Sequence, residues 1–238
     1  MSKIVLITGA SSGLGRVTAL YLKKQGYVVY GTSRNPNRYK NSKFYELLYL
    51  DLNELNSLQK VVDEILNKEG RIDVLINNAG SGIIGPMEEL KLSALKSNFE
   101  TNCYGPLKLM QAVIPEMRKN GNGFIINITS IGCAFGLPFR GGYSASKGAF
   151  SLLTESIRME VKEFGINICT IAPGDFNSDI SSRRYYSPQI KKSPYLEKYK
   201  KNLKIIDKHV SLGIDPEVIA KKIAVILKKK NPKVHYRI

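Results

Sequence analysis

The chain has 238 residues, of which 43% are hydrophobic and 24% charged, and its formal net charge is +16. Its length suits one α/β domain over residues 1–238, and no apolar run reaches the ~18 residues that a membrane-spanning helix needs. Cys103, Cys133 and Cys169 are too widely spaced to suggest a metal site, and they indicate small buried side chains in a reducing compartment. We therefore expect a cytoplasmic protein that binds no metal.

Predicted strands and helices alternate along the whole chain. The predicted strands cover 3–8, 27–32, 44–50, 74–77, 123–128, 167–171 and 234–238, and the predicted helices cover 14–25, 55–68, 103–119, 143–163 and 216–229. Strands rich in Val and Ile that alternate with helices are typical of a doubly wound parallel sheet with helices on both faces. Such sheets bind ligands beyond the carboxyl ends of their strands, so we expect the chemistry there.

A polar, basic and tyrosine-rich segment at about 175–213 interrupts this alternation. A long insertion after a strand is often functional, which predicts a substrate loop. Residues 181–238 contain 16 Lys and Arg and 4 Asp and Glu, so their net charge is 16 − 4 = +12. A solvated lysine-rich surface explains this charge. A nucleic-acid site is the alternative, but the segment contains no recognised binding motif, and we expect no nucleic-acid partner.

A glycine-rich turn follows the first predicted strand, with glycines at 9, 13 and 15. Glycine permits a tight turn and lets the backbone approach a diphosphate, and the helix that follows offers free N–H groups at its positive end. A simple tight turn is the alternative interpretation. The position after strand one favours a dinucleotide site formed by Gly9, Ser11, Ser12, Gly13, Leu14 and Gly15.

Ser33 and Arg34 stand at the end of the second predicted strand. NAD-selective folds of this kind place an acidic residue here to bind the ribose 2′-hydroxyl, and this chain has none. A hydroxyl and a guanidinium can instead donate hydrogen bonds to a 2′-phosphate. Arg34 as a solvated loop residue is the alternative. The pattern favours NADP(H) over NAD(H).

Tyr143 and Lys147 lie one helical turn apart, so both side chains can reach one cleft. An ammonium near a phenol favours the phenolate, which would lower the tyrosine pKa and suit it to proton transfer near neutral pH. Alone, this pair is a weak signal. Ser130 follows strand five, and Asn102 precedes the helix before that strand; either could serve only as a cap.

Together these residues resemble the short-chain dehydrogenase/reductase family. The family's motifs occur here in its order, with 13 residues between Ser130 and Tyr143 and further matches at 51–52, 77–80 and 173–174. Residues 77–90 and 136–139 are similar to the hydroxysteroid and retinol dehydrogenase branch. The resemblance implies a Rossmann-type sheet of about seven parallel strands. It also implies hydride transfer between NADP(H) and a ketone, an aldehyde or a secondary alcohol.

The resemblance also implies residue roles. Tyr143 exchanges a proton with the substrate oxygen, which Ser130 positions; Lys147 binds the nicotinamide ribose, and Asn102 holds a water that links Lys147 to solvent. The other implied cofactor contacts are Asp51, Leu52, Asn78, Ala79, Gly80, Pro173, Gly174, Phe176 and Ser178. The chain departs from the family at Ser178, often a threonine, and at Ser12, often a basic residue in members that use NADP.

The resemblance implies a homodimer or homotetramer formed through the helices at 103–119 and 143–163. Arg183, Arg184, Tyr185 and Tyr186 follow strand six, and they could favour an anionic or aromatic substrate. A protein that binds NADP for sensing or regulation, without catalysis, is the main alternative to an enzyme. Such a non-catalytic protein would have no evident need for Asn102, Ser130, Tyr143 and Lys147 together.

Overall fold

The computed structural model describes residues 2–39, 45–176, 184–188 and 190–238, and its centre is a seven-stranded parallel sheet. The strands lie in the order β3-β2-β1-β4-β6-β7-β9. Their bounds are β1 Ile4–Ile7, β2 Val28–Ser33, β3 Glu46–Tyr49, β4 Val74–Asn77, β6 Gly123–Ile128, β7 Ile166–Ala172 and β9 His235–Arg237. The predicted doubly wound α/β fold is confirmed.

Helices cover both faces of the sheet. Alternate residues of the buried strand β1 point to opposite faces, so Leu6 joins the core formed with α2, α4 and α5, whereas Val5 joins the core formed with α1 and α7. The helices are α1 Gly13–Lys24, α2 Leu55–Glu69, α3 Leu92–Phe99, α4 Gly105–Lys119, α5 Gly141–Glu160, α6 Leu196–Ser211 and α7 Pro216–Ile226. Among the described residues, no helix is long and apolar enough to cross a membrane.

The direction of strand addition reverses between β1 and β4. The chain adds β2 and β3 on one side of β1, then returns to place β4 on its other side and continues outwards through β6 and β7. The loops after β1 and β4 therefore separate, which opens a crevice at the carboxyl ends of the strands.

Several predicted boundaries and one predicted loop were wrong. Helix α4 starts at Gly105, because a π-helical turn over Glu100–Tyr104 precedes it. The predicted substrate loop contains α6. Its buried or partly buried residues Tyr199, Leu203, Ile206 and Val210 recur every three or four positions among many lysines that obscure the pattern. Helix α3 and the short parallel pair β5 (Ile83–Ile84) and β8 (Tyr185–Tyr186) also escaped prediction. Phe44, the predicted start of strand three, lies outside the described residues.

Candidate active site

The glycine turn after β1 has the backbone geometry that only glycine adopts easily. Gly9 and Gly13 have φ angles of +66° and +53°, in the left-handed region. A Cβ on Gly15 would lie 2.4 Å from the Gly9 carbonyl oxygen and 2.4 Å from Nδ2 of Asn78. Helix α1 begins at Gly13, and Ser12 forms no side-chain cap in the described structure. The first N–H groups of α1 are therefore available to an anion.

Thr8 ties the glycine turn to the loop after β4. Its Oγ1 accepts hydrogen bonds from the backbone N–H groups of Asn78 at 3.0 Å and Ala79 at 2.9 Å. The Asn78 side chain donates in return to the Thr8 carbonyl at 2.9 Å. The sequence analysis missed this role of Thr8, although its place between β1 and the first glycine was a signal. The two loops that border the crevice are thus held as one rigid unit.

A cleft of about 840 Å³ runs along the crevice between these loops. That volume lies within the ~300–1,000 Å³ typical of ligand sites. Most of the predicted cofactor residues line it, and the structure brings them together from five segments of the chain. They are Gly9, Ser11, Ser12, Gly13, Leu14, Gly15, Ser33, Arg34, Asp51, Leu52, Asn78, Ala79, Gly80 and Phe176.

Three arginines surround the end of the cleft near β2. Arg34 is joined there by Arg16 from the first turn of α1 and Arg38 from the 3-10 turn Pro36–Tyr39. Within the described part of the chain, none of the three forms an ion pair with a carboxylate. Ser33 Oγ accepts a hydrogen bond from the Asn35 N–H at 3.1 Å, which leaves its own proton free to donate. A cationic, donor-rich end of this kind fits the 2′-phosphate of NADP. Arg16 and Arg38 were missed because both stand outside the motifs.

A second, smaller cavity of about 60 Å³ adjoins the cleft at Gly82 and Phe176. Ser130 and Tyr143 line it, together with Pro173 and Gly174, so the structure brings the predicted catalytic hydroxyls together beside the cleft. Ser130 ends the segment after β6, and its Oγ accepts a hydrogen bond from the Gly132 N–H at 3.2 Å. Tyr143 lies in the first turn of α5 and forms a hydrogen bond with the Ser130 side chain.

The acidity of Tyr143 reflects opposing effects. Burial is the largest, and it raises the pKa of the Tyr143 phenol above its ordinary value of 10. The hydrogen bond from Ser130 and the charge of Arg140, whose guanidinium carbon is 5.5 Å from the Tyr143 ring centroid, act to lower that pKa. The expected net lowering of the Tyr143 pKa is therefore wrong for the protein alone. Arg140, which the sequence analysis did not single out, and Arg184 supply positive charges that act to lower it.

Lys147 lies beneath the cleft and is only 4% exposed. Its Nζ donates to the Ile128 carbonyl at 2.8 Å, and burial lowers the pKa of the Lys147 ammonium to about 8. A Cβ on Gly80 would lie 3.3 Å from Lys147 Nζ and 3.2 Å from Asn102 Oδ1. Because residue 80 is a glycine, no side chain at that position separates Lys147 from a group bound in the cleft.

Asn102 lies in the π-helical turn, at the centre of a buried polar network. Its Nδ2 donates to the Ser81 carbonyl at 2.9 Å and to Ser146 Oγ at 3.1 Å, and its Oδ1 accepts from the Ser81 N–H at 2.8 Å. Ser146 Oγ donates to Asn98 Oδ1 at 3.0 Å. The side chain of Asn102 thus fixes the loop after β4 against α5. Its predicted water-holding role stays a prediction.

Among the remaining predicted residues, Arg184 lies on the substrate side of the site. Arg184 lines the small cavity, is 8% exposed and donates from Nη1 to Asp207 Oδ1 at 2.8 Å. An arginine already engaged by a carboxylate is a weaker anion site than the sequence suggested. Ser178 and Arg183 lie outside the described residues.

Known proteins resemble this chain along almost its full length. The short chain dehydrogenase family model matches residues 3–187. A 3-ketodihydrosphingosine reductase of Bacteroides thetaiotaomicron is 41% identical over 97% of this chain and 85% of its own. A short-chain dehydrogenase structure from Streptomyces avermitilis has a TM-score of 0.91 at 31% identity, covering 100% of this chain and 88% of that one. The structure of ElxO with NADP bound has a TM-score of 0.82 at 26% identity, covering 100% and 97%.

Proposed function

The chain belongs to the short-chain dehydrogenase family, and from that premise we propose that it is an NADP(H)-dependent oxidoreductase acting on a ketone, an aldehyde or a secondary alcohol. One observation carries the proposal. The small cavity lined by Ser130 and Tyr143 adjoins the larger, glycine-lined cleft at Gly82 and Phe176. The NADP-bound ElxO structure and the ketone named for the Bacteroides reductase support the cofactor and the substrate class.

We propose that the cleft holds NADP(H). The diphosphate would lie on the N–H groups at the start of α1, the 2′-phosphate among Ser33, Arg34, Arg16 and Arg38, and the adenine beside Asp51 and Leu52. Asn78, Ala79 and Gly80 would border the remainder, with Pro173, Gly174, Phe176 and Ser178 at the nicotinamide end. When bound, this cofactor supplies the hydride that the carbonyl carbon accepts.

We propose that Tyr143 moves the proton. In the reductive direction the Tyr143 hydroxyl donates its proton to the carbonyl oxygen as that carbon gains the hydride, and the resulting phenolate regains a proton from solvent. Ser130 donates a hydrogen bond to the same oxygen and orients it. Lys147, below Gly80, binds the ribose hydroxyls and stabilises the phenolate by its charge, and Asn102 supports the route by which Lys147 reaches solvent.

The experiment is NADPH oxidation measured with a panel of ketones and aldehydes, for the native chain and for Tyr143→Phe. We expect turnover by the native chain and a loss of 10²-fold or more in Tyr143→Phe, because general acid catalysis contributes about 10²–10⁴-fold. Tyr27→Phe, next to the amino end of β2 and far from the carboxyl edge of the sheet, is the matched control and should keep full activity. Unchanged turnover in Tyr143→Phe would contradict the mechanism. Binding of NADPH with no turnover on any substrate would favour a sensor.

We propose further that the chain is one domain, acts in the cytoplasm and forms a homodimer or homotetramer through α4 and α5. Large apolar side chains on α5 support the interface, since Leu152 is 68% exposed and Met159 is 73% exposed in the single chain. Light scattering of the native chain and of Leu152→Glu/Met159→Glu tests it. We expect the variant to be smaller than the native assembly; an identical mass for both would overturn this interface.

A further inference from the structure

The outer face of α6 combines cationic and aliphatic side chains. Lys198, Lys201, Ile205, Lys208 and Leu212 follow one another at intervals of three or four residues, so they share one face of the helix and its end. Ile205 is 47% exposed and Leu212 is 73% exposed. Exposed aliphatic side chains that lie between lysines on one helix face fit a surface that is both anionic and apolar.

The charges of the lysines on this face are available to an anionic partner. Of the acidic residues on α6, Glu197 is 2.8 Å from Lys200 and Asp207 is 2.8 Å from Arg184. Across 2–39, 45–176, 184–188 and 190–238, no carboxylate lies within ion-pair distance of the lysines on the outer face. Their positive field is therefore directed outwards, and it accounts for part of the excess charge of residues 181–238.

The opposite face of the same helix borders the small cavity. Ile206 and Val210 line that cavity together with Tyr143, and Tyr199 packs edge-on against Phe139 with ring centroids 5.7 Å apart. A cavity of about 60 Å³ encloses only the reacting end of a substrate, so the rest of a larger molecule would extend beyond the lining residues, which include two from α6. Helix α6 thus borders the small cavity with one face and carries the cationic and aliphatic side chains on the other.

We propose that the outer face of α6 docks on an anionic lipid bilayer, and that the carbonyl substrate is a long-chain lipid ketone taken from that surface; the substrate class rests on the proposed function. Lysines attract an anionic leaflet, and aliphatic side chains between them can enter the headgroup boundary. Nucleic acid would use the lysines but leave Ile205 and Leu212 in water. A second copy of this chain would bring the same positive face against itself.

The test is co-sedimentation of the full chain with vesicles of phosphatidylcholine alone or mixed with phosphatidylserine. We expect binding only to the mixed vesicles, weakened by salt. Lys201→Glu/Lys208→Glu should lower the affinity roughly tenfold or more, since each lysine near an anionic surface contributes about a factor of five. Ile205→Ser/Leu212→Ser should also weaken binding. Lys228→Glu/Lys230→Glu, which makes the same charge change on exposed residues elsewhere, is the matched control and should bind as the native chain does.

Activity assays separate this proposal from the proposed function. The α6 variants should reduce a short, water-soluble ketone at the native rate and lose activity only on a long-chain ketone embedded in anionic vesicles. Equal loss of binding in the control, or no binding by the native chain, would overturn the docking surface and leave the reductase intact. A change of oligomeric mass in the α6 variants would assign the face to a protomer contact and overturn the proposal. Vesicle binding without reduction of any ketone would refute the reductase instead.

Discussion

Replacing Lys147 with methionine should stabilise the protein alone at neutral pH. The ammonium is 4% exposed and its pKa is lowered from 10.5 to about 8. That difference corresponds to a burial penalty of about 3 kcal/mol at pH 7. Methionine removes the penalty and also the hydrogen bond to the Ile128 carbonyl, which is worth about 1 kcal/mol. The variant should therefore be more stable by about 2 kcal/mol.

The sign of the pH dependence follows from the two protonation states. Between pH 8 and 10.5 the unfolded chain holds a proton on Lys147 that the folded chain has lost, so unfolding takes up a proton and stability due to this group rises with pH. The advantage of the methionine variant should fall across this window and be close to zero at pH 10. Below pH 7 it should be constant, because the lysine is then charged in both states.

Urea unfolding at a series of pH values, for the native chain and for Lys147→Met, measures this difference directly. Subtracting the two curves removes the contribution of groups that Lys147 does not influence, whereas Cys103, whose pKa the Lys147 charge lowers, differs between the two proteins. Lys60→Met, on the exposed side of α2, is the control and should change stability by less than ~0.5 kcal/mol at every pH. A difference between Lys147→Met and native that stays the same from pH 7 to pH 10 would refute the reasoning.

Three other substitutions test different parts of the structure. Arg34→Asp should raise the KM for NADPH at least tenfold and lower the KM for NADH, since it puts a carboxylate in place of a cation at the 2′-phosphate end. Steady-state kinetics with both cofactors measures this, and equal effects on both would count against the assignment. Arg140→Met should raise the pKa below which the rate of alcohol oxidation falls, because Arg140 lowers the Tyr143 pKa. An unchanged pH profile would contradict this role of Arg140. Asp215→Ala should cost about 1 kcal/mol in urea unfolding, because the Asp215 side chain accepts from the Glu217 N–H at 2.8 Å and caps α7; no loss would show that the cap is replaced.

Motifs with a strict backbone requirement were predictable from the sequence. The glycine turn and the strands β1, β4 and β6 follow from local chemistry: glycines where φ is positive, and short runs made mainly of Val, Leu and Ile where both faces of a strand are buried. The gathering of Gly9, Arg34, Asp51 and Asn78 around one cleft followed from the rule that parallel strands share a carboxyl edge.

Features that depend on tertiary context were not predictable. Helix α6 has apolar residues at helical spacing, but its many lysines made the segment look like a loop, and its packing beside Phe139 and Ile84 decides its position. The direction of the Tyr143 pKa shift also depends on burial, which outweighs any nearby charge that spacing along the helix can suggest. Arg16 and Arg38 reach the cleft from separate segments, and no motif joined them to Arg34.

The buried network around Asn102 has a consequence for how this protein can change over time. Most groups in this network have two partners, because the Ser81 carbonyl accepts from Asn98 and Asn102, and Asn98 Oδ1 accepts from Asn102 and Ser146. Among the described residues the Ser81 N–H has one partner only, Asn102 Oδ1, and an unsatisfied polar group costs about 1–3 kcal/mol, a large part of the stability of a typical domain. Positions 98 and 146 should therefore tolerate change over time more readily than position 102.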